Sequence, residues 1–340
     1  MTIDEARRLW QPAGSYLNTA SYGLPPQPGW DAMQQALADW QGGRTSWEAW
    51  AESTNTARDA FAQMVRLPGE RIAVGATVSE LVGLVAAAVP AGRLVCAEGD
   101  FTSLTWPWRI NGFDVNEVPL ARLADAVDSS TAVVAVSVVQ SSTGELADLD
   151  TILAAARAHN ALIVLDATQS CGWLPFDASR FDAVACAGYK WLCSPRGTAY
   201  LTLSEELFDH AKPLHAGWFA GEDIYTSYYG ARLRLATTAR RLDTSPAWFS
   251  WVGAAPTLEL LNEIGLDAIH DHDVSLANRF RAGLGMPPSN SAIVATDLPG
   301  AEERLARAGI RAAVRAGSLR ASFHVYSTEA DVDAALDALL

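Results

Sequence analysis

Lysine is nearly absent from this sequence. Of 25 basic residues only Lys190 and Lys212 are lysine; the others are arginine. Arginine stays protonated and cannot form an imine, whereas lysine can lose its proton and act as a nucleophile. A chain that meets nearly every need for positive charge with arginine keeps a lysine for chemistry that arginine cannot do. Long apolar runs are missing too. A membrane-crossing helix needs roughly 18 uncharged apolar residues, and the longest candidate, Leu81 to Val89, is far shorter. The opening MTIDEARRLWQPAG lacks the apolar core of an export signal, so a cytoplasmic location is expected. Positive charge is outnumbered: 39 acidic residues face 25 basic ones, for a net charge of −14. That argues against nucleic acid and anionic membrane as partners, because both need a basic face. Cysteine is scarce, with Cys96, Cys171, Cys186 and Cys193 alone. None has another cysteine or a histidine at zinc-like spacing, so no metal site is expected, and four are too few for a disulfide framework at this length. Cys96 and Cys186 sit in apolar strand-like runs and read as buried thiols. No G-x-G-x-x-G follows an early strand, which argues against a nicotinamide enzyme.

What is present is a chain that folds. Its 340 residues are 49% hydrophobic and 19% charged, which rules out disorder and allows two domains. Strand signals fall at 71–75, 92–97, 113–118, 132–138, 161–165, 182–187 and 197–203. They are short, rich in valine and alanine, and several are apolar throughout, as strands covered on both faces should be. Helical patterns at 77–89, 104–111, 120–127 and 149–160 separate most of them, and two longer ones, 30–40 and 47–66, come first. The alternation predicts an α/β fold with a mostly parallel seven-stranded sheet. After Pro246 the pattern changes. Helices at 248–264 and 267–284, short strands at 291–296, 310–314 and 319–325, and a helix from Glu329 predict a smaller α+β domain. The expected division is a large domain over 14–245 and a small one over 246–340, with residues 1–13 packing on the small one.

Two strand ends carry the chemistry. In ALIVLDATQSCG, Asp166 stands where an apolar strand stops, and open α/β sheets bind ligands beyond the carboxyl ends of their strands. Alone, Asp166 would be read as a turn cap. A second apolar strand, in FDAVACAGYKWLCSPRG, delivers Tyr189 and Lys190 to the same edge. A lysine and an aspartate so placed suit pyridoxal phosphate: the lysine forms an imine with the aldehyde, and the aspartate keeps the pyridine nitrogen protonated. The bland alternative for Lys190, a surface lysine, fits poorly with lysine scarcity and its aromatic neighbours. A phosphate would find hydroxyls and free amides in GATVSE at Thr77, Val78 and Ser79, although an N-cap threonine explains Thr77 equally well.

With these pieces in this order, the sequence resembles class V of the aminotransferases, on the fold-type-I pyridoxal-phosphate architecture. That family includes cysteine desulfurases, kynureninases, isopenicillin N epimerase-like enzymes and carbon–sulfur lyases. The resemblance runs from YLNTASYG to FHVYSTEADVD and is sharpest at the D-x-x-Q … K residues, Asp166, Gln169 and Lys190. It implies that Lys190 is the imine lysine, Asp166 the ring-nitrogen partner, Thr168 a cofactor contact, and Gln169 a neighbour of the phenolic oxygen. Thr77 and Val78 match the phosphate loop, and Tyr189 is placed to reach phosphate. Phe101, in EGDFTSL, matches the residue that stacks on the ring; a core phenylalanine is the alternative. In VVQSSTGE, Ser141 or Ser142 stands where relatives place asparagine. SLRASF matches an R-x-S motif whose arginine takes a substrate α-carboxylate, here Arg320; the alternative is an arginine paired with Asp331 or Glu329. Asn18 and Tyr22 fall in a segment that borders the substrate. RRLDTSPAW resembles a stretch that crosses to a second subunit, with Thr244 and Ser245 near its phosphate, which implies a homodimer. His215 and Trp218, before the aromatic loop EDIYTSYYG, match either a pocket wall or a dimer surface.

Within the family, desulfuration needs a cysteine on a small-domain loop, and no cysteine follows Cys193. The expected reaction is an α,β-elimination of the carbon–sulfur lyase type on an α-amino acid. Transamination and epimerisation on the same fold are the alternatives, and a non-catalytic protein that keeps the fold is the last.

Overall fold

The computed structural model describes residues 1–230 and 232–340. Seven strands form the large sheet: β1 (Ile72–Gly75), β2 (Arg93–Ala97), β3 (Asp114–Val118), β4 (Thr131–Ser137), β5 (Leu162–Asp166), β6 (Ala183–Ala187) and β7 (Ala199–Leu203). Their order is β1-β7-β6-β5-β4-β2-β3. Every neighbouring pair is parallel except those of β7, which runs against β6 and β1. Successive side chains serve opposite faces. Val134 and Val136 of β4 join one core cluster, and Val133 and Ala135 join the other. Such strands are apolar along most of their length, and β4 to β7 are buried at nearly every position, with the polar Ser137 and Asp166 at the carboxyl ends of β4 and β5. The edge strand β3 is not: its residues are exposed or half-buried.

The helices before and among these strands are α1 (Ile3–Arg7), α2 (Gln27–Gln41), α3 (Trp47–Met64), α4 (Val78–Ala88), α5 (Thr102–Ile110), α6 (Leu149–Ala158) and α7 (Glu205–His210). The helix expected at 120–127 is two single 3₁₀ turns, Leu120–Arg122 and Ala124–Ala126. Burying Leu123 and Val127 needs only these turns. The C-terminal part holds α8 (Trp248–Ile264), α9 (Leu266–Gly283), β8 (Ile293–Thr296), α10 (Ala301–Arg307), β9 (Ala313–Arg315), β10 (Ser318–Ser322) and α11 (Glu329–Leu339). Its three strands form an antiparallel sheet ordered β8-β10-β9. Two of these strands differ from expectation. The strand expected at 310–314 is the shorter β9, and that expected at 319–325 stops at Ser322, where the chain turns toward the Thr328 cap of α11.

A separate core lies under the small sheet, built from Leu276, Phe280, Val294, Leu319, Phe323 and Leu339. Helix α8 instead packs along α2 and α3 and buries Trp251 against Tyr200 of β7, ring centroids 5.4 Å apart. We propose that the division expected at 245/246 falls on a bridging helix, with the small core beginning at α9. The N-terminal segment reaches both parts: α1 contacts α9, Arg7 donates to the Val325 carbonyl at 3.4 Å, and Trp10 donates to the Leu24 carbonyl at 2.8 Å.

Candidate active site

The carboxyl ends of β1, β2, β4, β5 and β6 meet at one edge of the large sheet, and a pocket of about 200 Å³ opens there. Strand β5 ends on Asp166 and β6 runs on through Gly188 and Tyr189 to Lys190. Both charged residues line the pocket, 6% and 7% exposed respectively. Thr168 ties the two strand ends together. Its amide donates to Asp166 Oδ1 at 2.9 Å, and its hydroxyl accepts from the Ala187 amide at 3.0 Å. Burial pushes the Asp166 carboxyl up, while the Thr168 hydroxyl and amide and the Lys190 charge oppose that. Burial brings the Lys190 ammonium down to about 8; Asp166 opposes the fall, and Arg320 and Arg315 add to it.

The turn that carries Lys190 is held tightly. The Cys193 amide donates to the Lys190 carbonyl at 3.0 Å, with Cys193 at φ 49°. The N-terminal segment presses on this turn at Gly23, whose amide donates to the Tyr189 carbonyl at 3.0 Å. A Cβ at position 23 would lie 1.9 Å from the Lys190 carbonyl oxygen, so only glycine permits the approach. From the other side, His324 puts Nε2 3.0 Å from the Trp191 carbonyl and Nδ1 2.8 Å from Asp273 of α9. The carbonyl only accepts, and facing an ionised Asp273 the ring carries two N–H groups and a positive charge. Burial alone would lower the His324 pKa; Asp273, together with Cys193, outweighs it and raises it to about 10.

At the head of α4, the Thr77 hydroxyl accepts from the Glu80 amide at 3.3 Å, and the first-turn amides of Val78 and Ser79 have no acceptor among the described residues. Ala76, Thr77 and Ser79 face the pocket. Phe101, ahead of α5, lies across from Lys190, with Nζ 5.5 Å from its ring centroid. Ser141, not Ser142, is the serine of its loop that lines the pocket. Gln169 also lines it, but its carboxamide is already engaged. It donates to Ser141 Oγ at 2.8 Å and the Ala20 carbonyl at 3.0 Å, and accepts from Trp191 at 2.8 Å.

Arg320 lies beside this pocket and is 1% exposed. It donates to the Ser141 carbonyl, to Ser141 Oγ at 3.1 Å and to Ser21 Oγ at 2.8 Å, and its Nε is buried without a partner. The acids suggested as its partners are engaged elsewhere. Asp331 takes the Thr328 cap and Ser15, and Glu329 faces Arg279. Tyr22 is half exposed and stacks near Tyr189, ring centroids 5.3 Å apart, while Asn18 Oδ1 is buried without a partner. Thr244 and Ser245 line no part of their own chain's pocket; the segment is moored just before them by Asp243, which accepts from Arg58 at 2.6 Å and the Val74 amide at 2.8 Å.

Two polar residues at this edge, one lining the pocket and one just behind its wall, have no counterpart in the sequence reading. Arg196 lines the pocket, with its guanidinium 4.8 Å from the Tyr189 ring centroid and 3.0 Å from the Tyr22 hydroxyl. The signal was its place in CSPRG, six residues after Lys190. Asp100, next to Phe101, accepts from the Ser137 amide at 3.0 Å, and burial raises its pKa to about 6. A larger cavity of about 590 Å³ opens beside Pro12, Trp30 and Arg311, but no lysine or carboxylate lines it.

The family profile described as Aminotransferase class-V matches residues 108–298, more than half of the chain. The chain belongs to the aminotransferase class V family. It is similar to an uncharacterized aminotransferase of Bacillus subtilis, 27% identical over 319 residues that cover 86% of this chain and 85% of that one. Its fold matches the cysteine desulfurase CsdA of Escherichia coli with a TM-score of 0.85, at 20% identity, over 99% of this chain and 97% of that one. It matches the cystine C–S lyase C-DES, solved with cysteine persulfide, with a TM-score of 0.85, at 19% identity, over 96% and 97%. The fold is therefore that of the fold-type-I pyridoxal-phosphate enzymes, as the sequence led us to expect.

Pyridoxal 5′-phosphate is the cofactor of this class V enzyme, and the pocket fits it. A buried amine of lowered proton affinity stands at one wall and a buried carboxylate at the floor. Free helix amides, the Thr77 and Ser79 hydroxyls and Arg196 supply what a phosphate dianion requires. Phe101 offers an apolar face for a ring.

Proposed function

We propose that this enzyme catalyses an α,β-elimination of the carbon–sulfur lyase type on an α-amino acid, and not cysteine desulfuration. The reading is carried by Lys190 facing a pocket bordered by Arg320, a buried arginine with no acid of its own. Arg320 takes the α-carboxylate through its planar fork, which fixes the orientation of the bonds at Cα. Lys190 would hold the cofactor through its amine, and that amine, once released, would carry the Cα proton. Asp166 keeps the ring nitrogen protonated, and Thr77, Val78 and Arg196 hold the phosphate. When bound, the cofactor supplies an electron sink for the bond broken at Cα.

Two observations favour this reaction over its neighbours. Desulfuration needs a thiolate that can reach the substrate sulfur, but all four cysteines are buried and the last, Cys193, precedes the small domain. Burial pushes the Cys96 thiol up to about 12, and the Cys186 thiol also well above its ordinary value. Epimerisation by two bases needs a second acid–base group, and Phe101, across from Lys190, cannot exchange protons. Incubating the holoenzyme with single amino acids should release ammonia and a keto acid with no amino acceptor present. Keto acid that appears only when an acceptor is added would establish transamination instead, and persulfide formed from cysteine would establish desulfuration.

The proposal includes a homodimer and a cytoplasmic location. Thr244 and Ser245, placed outside their own pocket, are then free to serve the partner's phosphate. Light scattering that shows an active, cofactor-loaded single chain would defeat the dimer. The four unpaired thiols suit a reducing compartment.

A further inference from the structure

We propose that the substrate of this site carries a second anionic group on its side chain, and that Arg315 receives it. The inference rests on the reading above, in which Arg320 holds the α-carboxylate. Arg315 ends β9 and Arg320 lies on β10, joined by a two-residue turn at Ala316 and Gly317 with φ of 48° and 85°. Ser318 pairs with Arg315 across the ladder, and Arg320 is two residues beyond Ser318, so both arginines occupy one face of the small sheet. Both reach the same atom. Arg315 Nη2 lies 3.0 Å from Ser21 Oγ and Arg320 Nη2 lies 2.8 Å from it. Two guanidinium groups therefore converge on one neutral hydroxyl oxygen, which cannot balance two charges.

Among the described residues no carboxylate lies within ion-pair distance of either arginine. Three acids of α11 are spent: Glu329 and Asp333 face Arg279, and Asp331 caps the helix. Arg315 also weakens proton binding at Arg320, beyond the effect of burial. The two differ in depth. Arg320 is buried against Ser141 on the pocket wall, whereas Arg315 is exposed and otherwise donates only to the Val314 carbonyl. A substrate with its α-carboxylate on Arg320 and Cα at Lys190 has only its side chain left to reach outward, and the exposed Arg315, which shares Ser21 Oγ with Arg320, would be the cation that meets it. The competing arrangement is one carboxylate bridged by both arginines; Arg315 would then matter equally for every amino acid.

The test is binding to the holoenzyme, read from the cofactor's absorbance, with acidic and neutral partners of matched length. Aspartate against asparagine and glutamate against glutamine probe a carboxylate; cysteate and O-phosphoserine probe a sulfonate and a phosphate. The acidic member of each pair should bind about tenfold tighter, and Arg315→Gln should erase that ratio. Arg315→Lys should keep part of it, and melting curves check that both variants fold. An Arg315→Gln enzyme with an unchanged ratio makes Arg315 an ordinary surface residue and overturns the proposal. A variant that weakens acidic and neutral amino acids alike establishes the shared clamp and overturns it too. If no amino acid perturbs the spectrum of the wild-type holoenzyme, the α-amino acid reading falls, and this inference with it.

Discussion

At the scale of single residues, burial decides proton affinities and proton affinities decide chemistry. Lys190 must be neutral to attack an aldehyde, and burial brings its ammonium down to about 8. The rate at which apoenzyme takes up pyridoxal phosphate should therefore rise with pH and level off above about 8. A rate still climbing at the ordinary lysine value, about 10.4, would contradict this. Arg320 makes a second prediction. Its removal takes away both binding and orientation, so Arg320→Ala should raise KM and lower kcat together, and Arg320→Lys should restore only part. A lower melting point with an unchanged KM would make it structural. These two roles were unequally legible. Lys190 stood out because lysine is scarce and an apolar strand leads to it. The choice for Arg320 between substrate and acid partner needed three dimensions, because only there is Asp331 seen to spend its carboxylate on Thr328 and Ser15. Arg196 was marked only by its place in CSPRG, six residues after Lys190.

At the scale of elements, the Lys190 turn is gripped by the small domain. Asp273 of α9 and His324, beyond β10, are both fully buried and end on the Trp191 carbonyl, beside the lysine. Breaking such a pair from one side leaves a buried charge uncompensated, a cost of about 3–5 kcal/mol. His324→Gln or Asp273→Asn should lower stability by that order. The pH dependence follows from the raised His324 value. The charged ring stabilises the fold fully below the unfolded histidine value, about 6.5, and the contribution fades as pH rises from there to about 10, where it is lost. The stability gap between wild type and His324→Gln, measured by denaturant unfolding, should thus persist through neutrality and narrow toward alkaline pH. A gap that opens on raising the pH would refute the imidazolium. The FHVY segment was visible in the sequence, but its partner lies 51 positions earlier, out of reach of any periodicity. Long elements were readable because their period repeats. The helices Ile3–Arg7, Glu205–His210 and Ala301–Arg307 span too few turns to show one.

At the scale of the whole molecule, alternation of strand and helix predicted a mostly parallel sheet, but strand order was not in the pattern. Nothing in the sequence marked β7 as reversed or β1 as its neighbour; that placement is secured by side chains far apart, among them the buried Arg58–Asp243 pair beside β1. The order has a consequence for the site. It sets β5 beside β6, so Asp166 and Lys190 share one crevice, and brings the β1 end with Thr77 to the same edge. The central claim is that Lys190 in this crevice bonds the cofactor. Because the chain has two lysines, one experiment decides between them. Borohydride reduction of the holoenzyme, followed by peptide mass analysis, should place the pyridoxyl group on the peptide containing Lys190. A label on Lys212, or none on a cofactor-loaded protein, would contradict the account.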